Sequence, residues 1–204
     1  MSYGTAIFPK IEDFTKYGGL SVEELKSHRD SEIRLMTNAF VELRALALCT
    51  PFNLFGDNAY RRVSQLVDGY ISDYVESFQI NFDLNSLLDL KYQEPTITKE
   101  GDLEKVPYLY FNHYVYHSKD EAEDAVENSF DDLLKIKSKI LGICLATPID
   151  ITPRDETQYA DGHYEPLTYL EQEMDYLEES LEDCLHTMCV AKMVAKYWDG
   201  HKEG

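Results

Sequence analysis

The sequence predicts a mainly α fold: an antiparallel bundle of four or more helices with a small β-hairpin inserted at about 91–117. Three observations carry this. Apolar residues recur at steps of three and four along most of the 204 residues. Ser21-Val22-Glu23-Glu24 and Ser118-Lys119-Asp120-Glu121 read as capping boxes, each opening such a run. Between them lies one stretch rich in aromatic and β-branched residues, which suits a pleated surface. The length fits a single domain, 1–204. A hydrophobic fraction of 44% supplies a core and excludes a wholly disordered chain.

The first helix opens at Ser21, whose hydroxyl can accept the Glu24 amide. Its stripe is Leu25, Ile33, Met36, Phe40, Leu43 and Ala47, and Pro51 ends it. The second begins after Gly56-Asp57-Asn58, with Tyr60, Val63, Val67, Tyr70, Tyr74 and Phe78 on one face. Gly69 within it costs about 1 kcal/mol relative to alanine. A separate short helix is expected at Leu84 to Leu90.

The predicted hairpin follows. Pro95-Thr96-Ile97-Thr98 is β-prone, Lys99-Glu100-Gly101-Asp102 is a turn, and Val106 to His117 is aromatic. Ser118 then caps a helix to about Leu145, with Ala122, Val126, Phe130, Leu133, Ile140 and Leu141 on its apolar side. A Pro/Asp/Thr-rich connection covers 147–165. A long C-terminal helix is expected at about 166–198, with Pro166 in its first turn.

That last helix carries a heptad seam: Leu167, Leu170, Met174, Leu177, Leu181, Cys184, Met188, Ala191, Ala195 and Trp198. Such a seam serves either the centre of an antiparallel bundle or a coiled coil with a second copy of the chain. Cys49, Cys144, Cys184 and Cys189 lie among apolar neighbours and read as buried free thiols. With no basic, apolar leader and no apolar run of 18 residues, the expectation is a cytoplasmic protein in a reducing compartment.

The chain holds 38 acidic and 19 basic residues, a net charge of −19. That balance argues against direct nucleic-acid binding, which needs a basic footprint. The charge is uneven: −6 over residues 1–117, −14 over 118–183 and +1 over 184–204. On the last helix Glu171, Asp175, Glu178 and Glu182 are spaced four, three and four apart, one row rising about 16 Å. The spacing is similar to that of phosphates along a nucleic-acid strand. Asp120, Glu123, Asp124 and Glu127 form a second acidic patch.

Catalytic motifs are sparse. The sequence contains no Gly-x-Gly-x-x-Gly, no phosphate-binding lysine loop and no Gly-x-Ser-x-Gly elbow. His113 and His117 are a four-residue strand step apart, about 13 Å, too far for one metal. Asp183 and His186 give a single Asp-x-x-His, whereas a di-iron bundle needs two Glu-x-x-His motifs. No metal or cofactor site is therefore expected.

Glu123-Asp124-Ala125-Val126-Glu127 resembles the Glu-Glu-x-x-Glu run of all-α nucleotide pyrophosphohydrolases. That resemblance implies carboxylates holding Mg²⁺ against a pyrophosphate. The family's second motif is Glu-x-x-Asp, and here Glu179 and Asp183 are four residues apart rather than three. Leu20 to Lys26, with the later Tyr74-Val75-Glu76-Ser77-Phe78, resembles phage head–tail connector subunits, which are small helical proteins with a β-hairpin that form rings.

The leading functional expectation is a non-enzymatic acidic protein that engages a basic protein surface, such as the nucleic-acid channel of a host protein. It would act as an inhibitor or immunity-type antagonist through nucleic-acid mimicry. Its contact residues would be Glu171, Asp175, Glu178 and Glu182, with Asp120, Glu123, Asp124 and Glu127. The alternatives are a self-assembling, connector-like homo-oligomer and a Mg²⁺-dependent nucleotide hydrolase. Neither membrane nor direct nucleic acid is expected as a partner.

Overall fold

The computed structural model describes residues 17–49, 57–93, 116, 118–145 and 169–200. Four helices fill these ranges: α1 (Val22–Cys49), α2 (Asp57–Gln93), α3 (Lys119–Leu145) and α4 (Tyr169–Gly200). No helix is long and apolar enough to cross a membrane among the described residues.

Both capped starts form. The Glu24 amide donates to Ser21 Oγ at 3.2 Å, and the Ser21 amide donates to Glu24 Oε2 at 2.8 Å. The Ser21 amide, and then the Ser21 hydroxyl, which donates to Glu24 Oε2 at 2.8 Å, hold the Glu24 carboxyl below its ordinary value. The Glu121 amide likewise donates to Ser118 Oγ at 3.1 Å.

The helices pair as two hairpins, α1 with α2 and α3 with α4. Buried Lys91, near the end of α2, donates to the Leu20 carbonyl just before α1, so the two helices run antiparallel. Cys184 Sγ donates to the Ser129 carbonyl at 2.9 Å, and Ile136 lies beside Leu177, so α3 and α4 are antiparallel too. Tyr74 reaches Glu182 while Phe82 meets the His186 ring at 5.5 Å, which makes α2 and α4 run the same way.

The main core joins all four helices: Phe40 and Leu43, Val67 and Tyr74, Ile136 and Ile140, Met174 and Leu177. Phe40 and Tyr74 meet edge to face at 5.9 Å between ring centroids. A second core at the far end gathers Phe82, Ala122, Cys189, Val190, Met193 and Val194, with Tyr116 packed against it. The heptad seam from Leu170 to Ala191 is buried inside this one chain. It is bundle core, and the coiled-coil reading does not apply to it. Leu167 and the Trp198 side chain lie outside the description.

Four sequence expectations are corrected. Residues 91–93 belong to α2, so the expected hairpin cannot begin there; residues 94–115 and 117 lie outside the description. The separate helix at Leu84–Leu90 is part of an unbroken α2. Asn81, Asp83 and Asn85 are poor helix formers, but burial of Phe82, Leu84, Leu87 and Leu88 outweighs them. Ile33 and Phe130 were expected in the core and are 42% and 53% exposed. Each lies at the edge of its helix stripe, beyond the reach of the opposing helix.

Two measurements probe this packing. Leu177→Ala and Leu181→Ala, at fully buried sites, should each cost about 2–5 kcal/mol in denaturant unfolding. In contrast, Gly69 is an exposed helical glycine, and an added Cβ would meet nothing within 4 Å. Gly69→Ala should stabilise the protein by up to about 1 kcal/mol and raise its melting midpoint.

Candidate functional site

The two acidic sets from the sequence occupy different environments. The row on α4 sits one position beyond the seam, since Glu171, Asp175, Glu178 and Glu182 each follow a buried seam residue. Flanking positions of a core seam face the neighbouring helix. Here that neighbour is α1, and Arg44 reaches across from it. Its guanidinium pairs with Asp175 and donates to Glu178 Oε2 at 2.7 Å. The same guanidinium lies 5.3 Å from the Phe40 ring centroid. Glu182 accepts a hydrogen bond from the Tyr74 hydroxyl at 3.0 Å. Burial, then Glu182, raises the Tyr74 phenol above its ordinary value.

The row is thus a half-buried seam between helices, with Glu182 its exposed member. Its crowding is visible in Glu178. Burial raises this carboxyl above the ordinary value, Arg44 pulls it down, and Glu182 and Asp175 push it up again. Sequence reasoning identified the row and missed Arg44 and Tyr74. The available signal was a lone arginine four residues after Phe40, beside the apolar stripe of α1.

The second set is open. Asp120, Glu123, Asp124 and Glu127 are exposed on α3, as are Glu121, Asp131 and Asp132. Asp120, Asp124, Glu127 and Asp131 repeat the four-three-four spacing of the α4 row. Two local lysines answer this face: Lys119 pairs with Glu123 at 3.3 Å and Lys135 with Asp132 at 2.7 Å. On the far flank Lys137 ties α3 to Asp68 of α2 at 2.7 Å. Phe130 and Leu134 are exposed beside the acids. A shallow groove of about 470 Å³ separates α3 from α4, edged by Asp132, Lys135, Lys139, Tyr176 and Asp183.

No three His, Cys, Asp or Glu side chains gather as a metal site among the described residues. Cys144, Cys184 and Cys189 are buried free thiols. Burial pushes Cys144 up to about 11 and Cys189 up to about 12, which suppresses the reactive thiolate. The Cys49 side chain lies outside the description.

No protein-family model, curated protein or solved structure matches this chain.

The raised Glu178 carboxyl gives a signed prediction. A carboxylate raised in the folded state destabilises the fold when ionised. That penalty is present above the folded value and fades as pH falls through it toward the unfolded value of 4.5. Glu178→Gln should therefore be as stable as the parent or more so at pH 7, and the difference should vanish near pH 4. Urea unfolding at the two pH values checks this.

Proposed function

We propose that the protein is a non-enzymatic binding protein that engages a basic surface on another protein and blocks it. The observation that carries this reading is the α3 face, with seven exposed carboxylates between Asp120 and Asp132. Such a concentration has no evident role in holding the bundle together. Like-charge neighbours on a helix each cost about 0.2–0.5 kcal/mol, offset here in part by the first-turn position of Asp120 and Glu121 and by the Lys119 and Lys135 pairs. Its row rises about 16 Å at a spacing similar to that of backbone phosphates. It would compete for Lys and Arg groups that otherwise hold a nucleic acid. The charges would speed and orient encounter, and Phe130 and Leu134 would add apolar contact.

The α4 row holds a lesser place in this proposal. Arg44 engages Asp175 and Glu178, and Tyr74 donates to Glu182, the row's exposed member. The self-assembling reading loses the seam as its interface, because the seam is buried within one chain. The Mg²⁺ reading would need the Glu123–Glu127 carboxylates to meet others from a second helix, and no such trio forms among the described residues.

The test is capture from native extract on immobilised protein, with washes at rising salt. A variant carrying Asp120→Asn, Glu123→Gln, Asp124→Asn and Glu127→Gln should lose the captured basic protein, chiefly through slower association. The corresponding variant of the α4 row should keep most of it. Capture by the α3 variant that persists unchanged up to about 1 M salt, where screening acts within a few ångströms, would overturn the proposal.

A further inference from the structure

The outer side of the α1–α2 hairpin holds an open groove of about 530 Å³ that none of the preceding argument uses. Its floor is apolar: Leu35 and Ala39 from α1, Tyr70 and Ile80 from α2. Its walls carry Glu32 and Glu42 on one side and Asp73 and Glu76 on the other. No lysine or arginine among the described residues lines it. None of these four carboxylates forms an ion pair among the described residues.

Two further observations point to an occupant. Ser77 lines the groove and is only 5% exposed, yet its hydroxyl has no hydrogen-bond partner among the described residues. Three other helical hydroxyls bond back one turn, Thr37 to Ile33, Ser86 to Phe82 and Ser138 to Leu134; Ser129, also buried, lines the separate α3–α4 groove. A buried hydroxyl left unpaired destabilises the fold, and an arriving polar group would relieve it. In addition, Leu35 is 50% exposed on the floor. The groove thus leaves apolar area uncovered.

We propose that this groove is the docking site for an amphipathic, lysine- or arginine-bearing helix of a partner protein; the inference rests on the reading that the chain engages a basic partner. The geometry between two antiparallel helices accepts a third helix, its apolar stripe on Leu35, Ala39 and Tyr70. Basic side chains flanking that stripe meet Glu32 and Glu42 along one wall and Asp73 and Glu76 along the other. One of them, reaching between Asp73 and Ser77, donates to the unpaired hydroxyl. A second copy of this chain is the wrong occupant by charge, since each copy carries −19. The α3 face steers the partner, and the groove holds it.

The test uses a Leu/Lys amphipathic helical peptide of roughly 18 residues, and a scrambled peptide of the same composition that lacks the stripe. The full chain should bind the first at least about tenfold more tightly than the second, measured by fluorescence anisotropy. Leu35→Lys, at an exposed position, and the pair Asp73→Asn with Glu76→Gln should each weaken binding by about tenfold or more. Ser77→Ala should weaken binding while leaving the melting midpoint unchanged or higher. The α3 quadruple variant should slow association and leave the dissociation rate unchanged.

Equal binding of both peptides, or groove variants that bind like the parent, would overturn the docking site. So would a dimer in light scattering that Leu35→Lys dissolves, which would make the occupant a second copy. The failures separate cleanly. If extract capture depends on the α3 charges but not on the groove, the basic-partner reading stands and this inference falls. If neither peptide nor any basic protein binds, both fall.

Discussion

The structure depends on α4 being apolar around too wide an arc to sit at a surface. Between Cys184 and Ala195 no side chain is exposed. A helix buried all round needs neighbours on every side. Among the described residues Phe82 of α2, Ala122 of α3 and Tyr116 pack against its C-terminal half, beyond the core that α1, α2 and α3 build on its N-terminal seam. Toward its N-terminus α4 narrows to a seam with polar flanks, and there the packing opens to solvent. The change from a two-sided to an all-round apolar helix divides the molecule into a tight end and an open one.

That change also decides what the acidic residues do. Carboxylates beside a seam must meet the neighbouring helix, where burial penalises them unless a cation arrives. Arg44 fills this role for Asp175 and Glu178, and Tyr74 contributes a hydroxyl to Glu182. The same four-three-four spacing on α3 lies on an outward face, where nothing must answer it. Two rows alike in sequence therefore have opposite physical meanings. One is part of the packing between helices, and the other is charge presented to solvent.

Much of the fold was legible because helix period and capping are local. Ser21 with Glu24 and Ser118 with Glu121 mark two helix starts to the residue. The seam of α4 was readable from spacing alone, and so was its burial. What escaped was non-local. The unbroken length of α2 depends on Phe82 packing against Cys189 and Met193, more than 100 positions away in the chain. Arg44 and Glu178 are 134 residues apart, and no periodicity links them. The groove on the α1–α2 hairpin was invisible for the same reason. Glu32, Glu42, Asp73 and Glu76 are unremarkable singly, and they become one feature only when the hairpin closes.

Closure of that hairpin also explains why its outer side is left unfilled. Lys91 reaches the Leu20 carbonyl at one end, and Phe40 meets Tyr74 near the middle, so the spacing of α1 and α2 is set from the core side. The outer side of two cylinders in contact is a valley, and no other described helix fills it. Water would satisfy the carboxylates but leaves Leu35 uncovered, and the core does not need it. A polar residue at that position would cost the fold little. The apolar character of Leu35, among carboxylates that no cation of the described residues meets, is the combination a basic amphipathic helix would recognise.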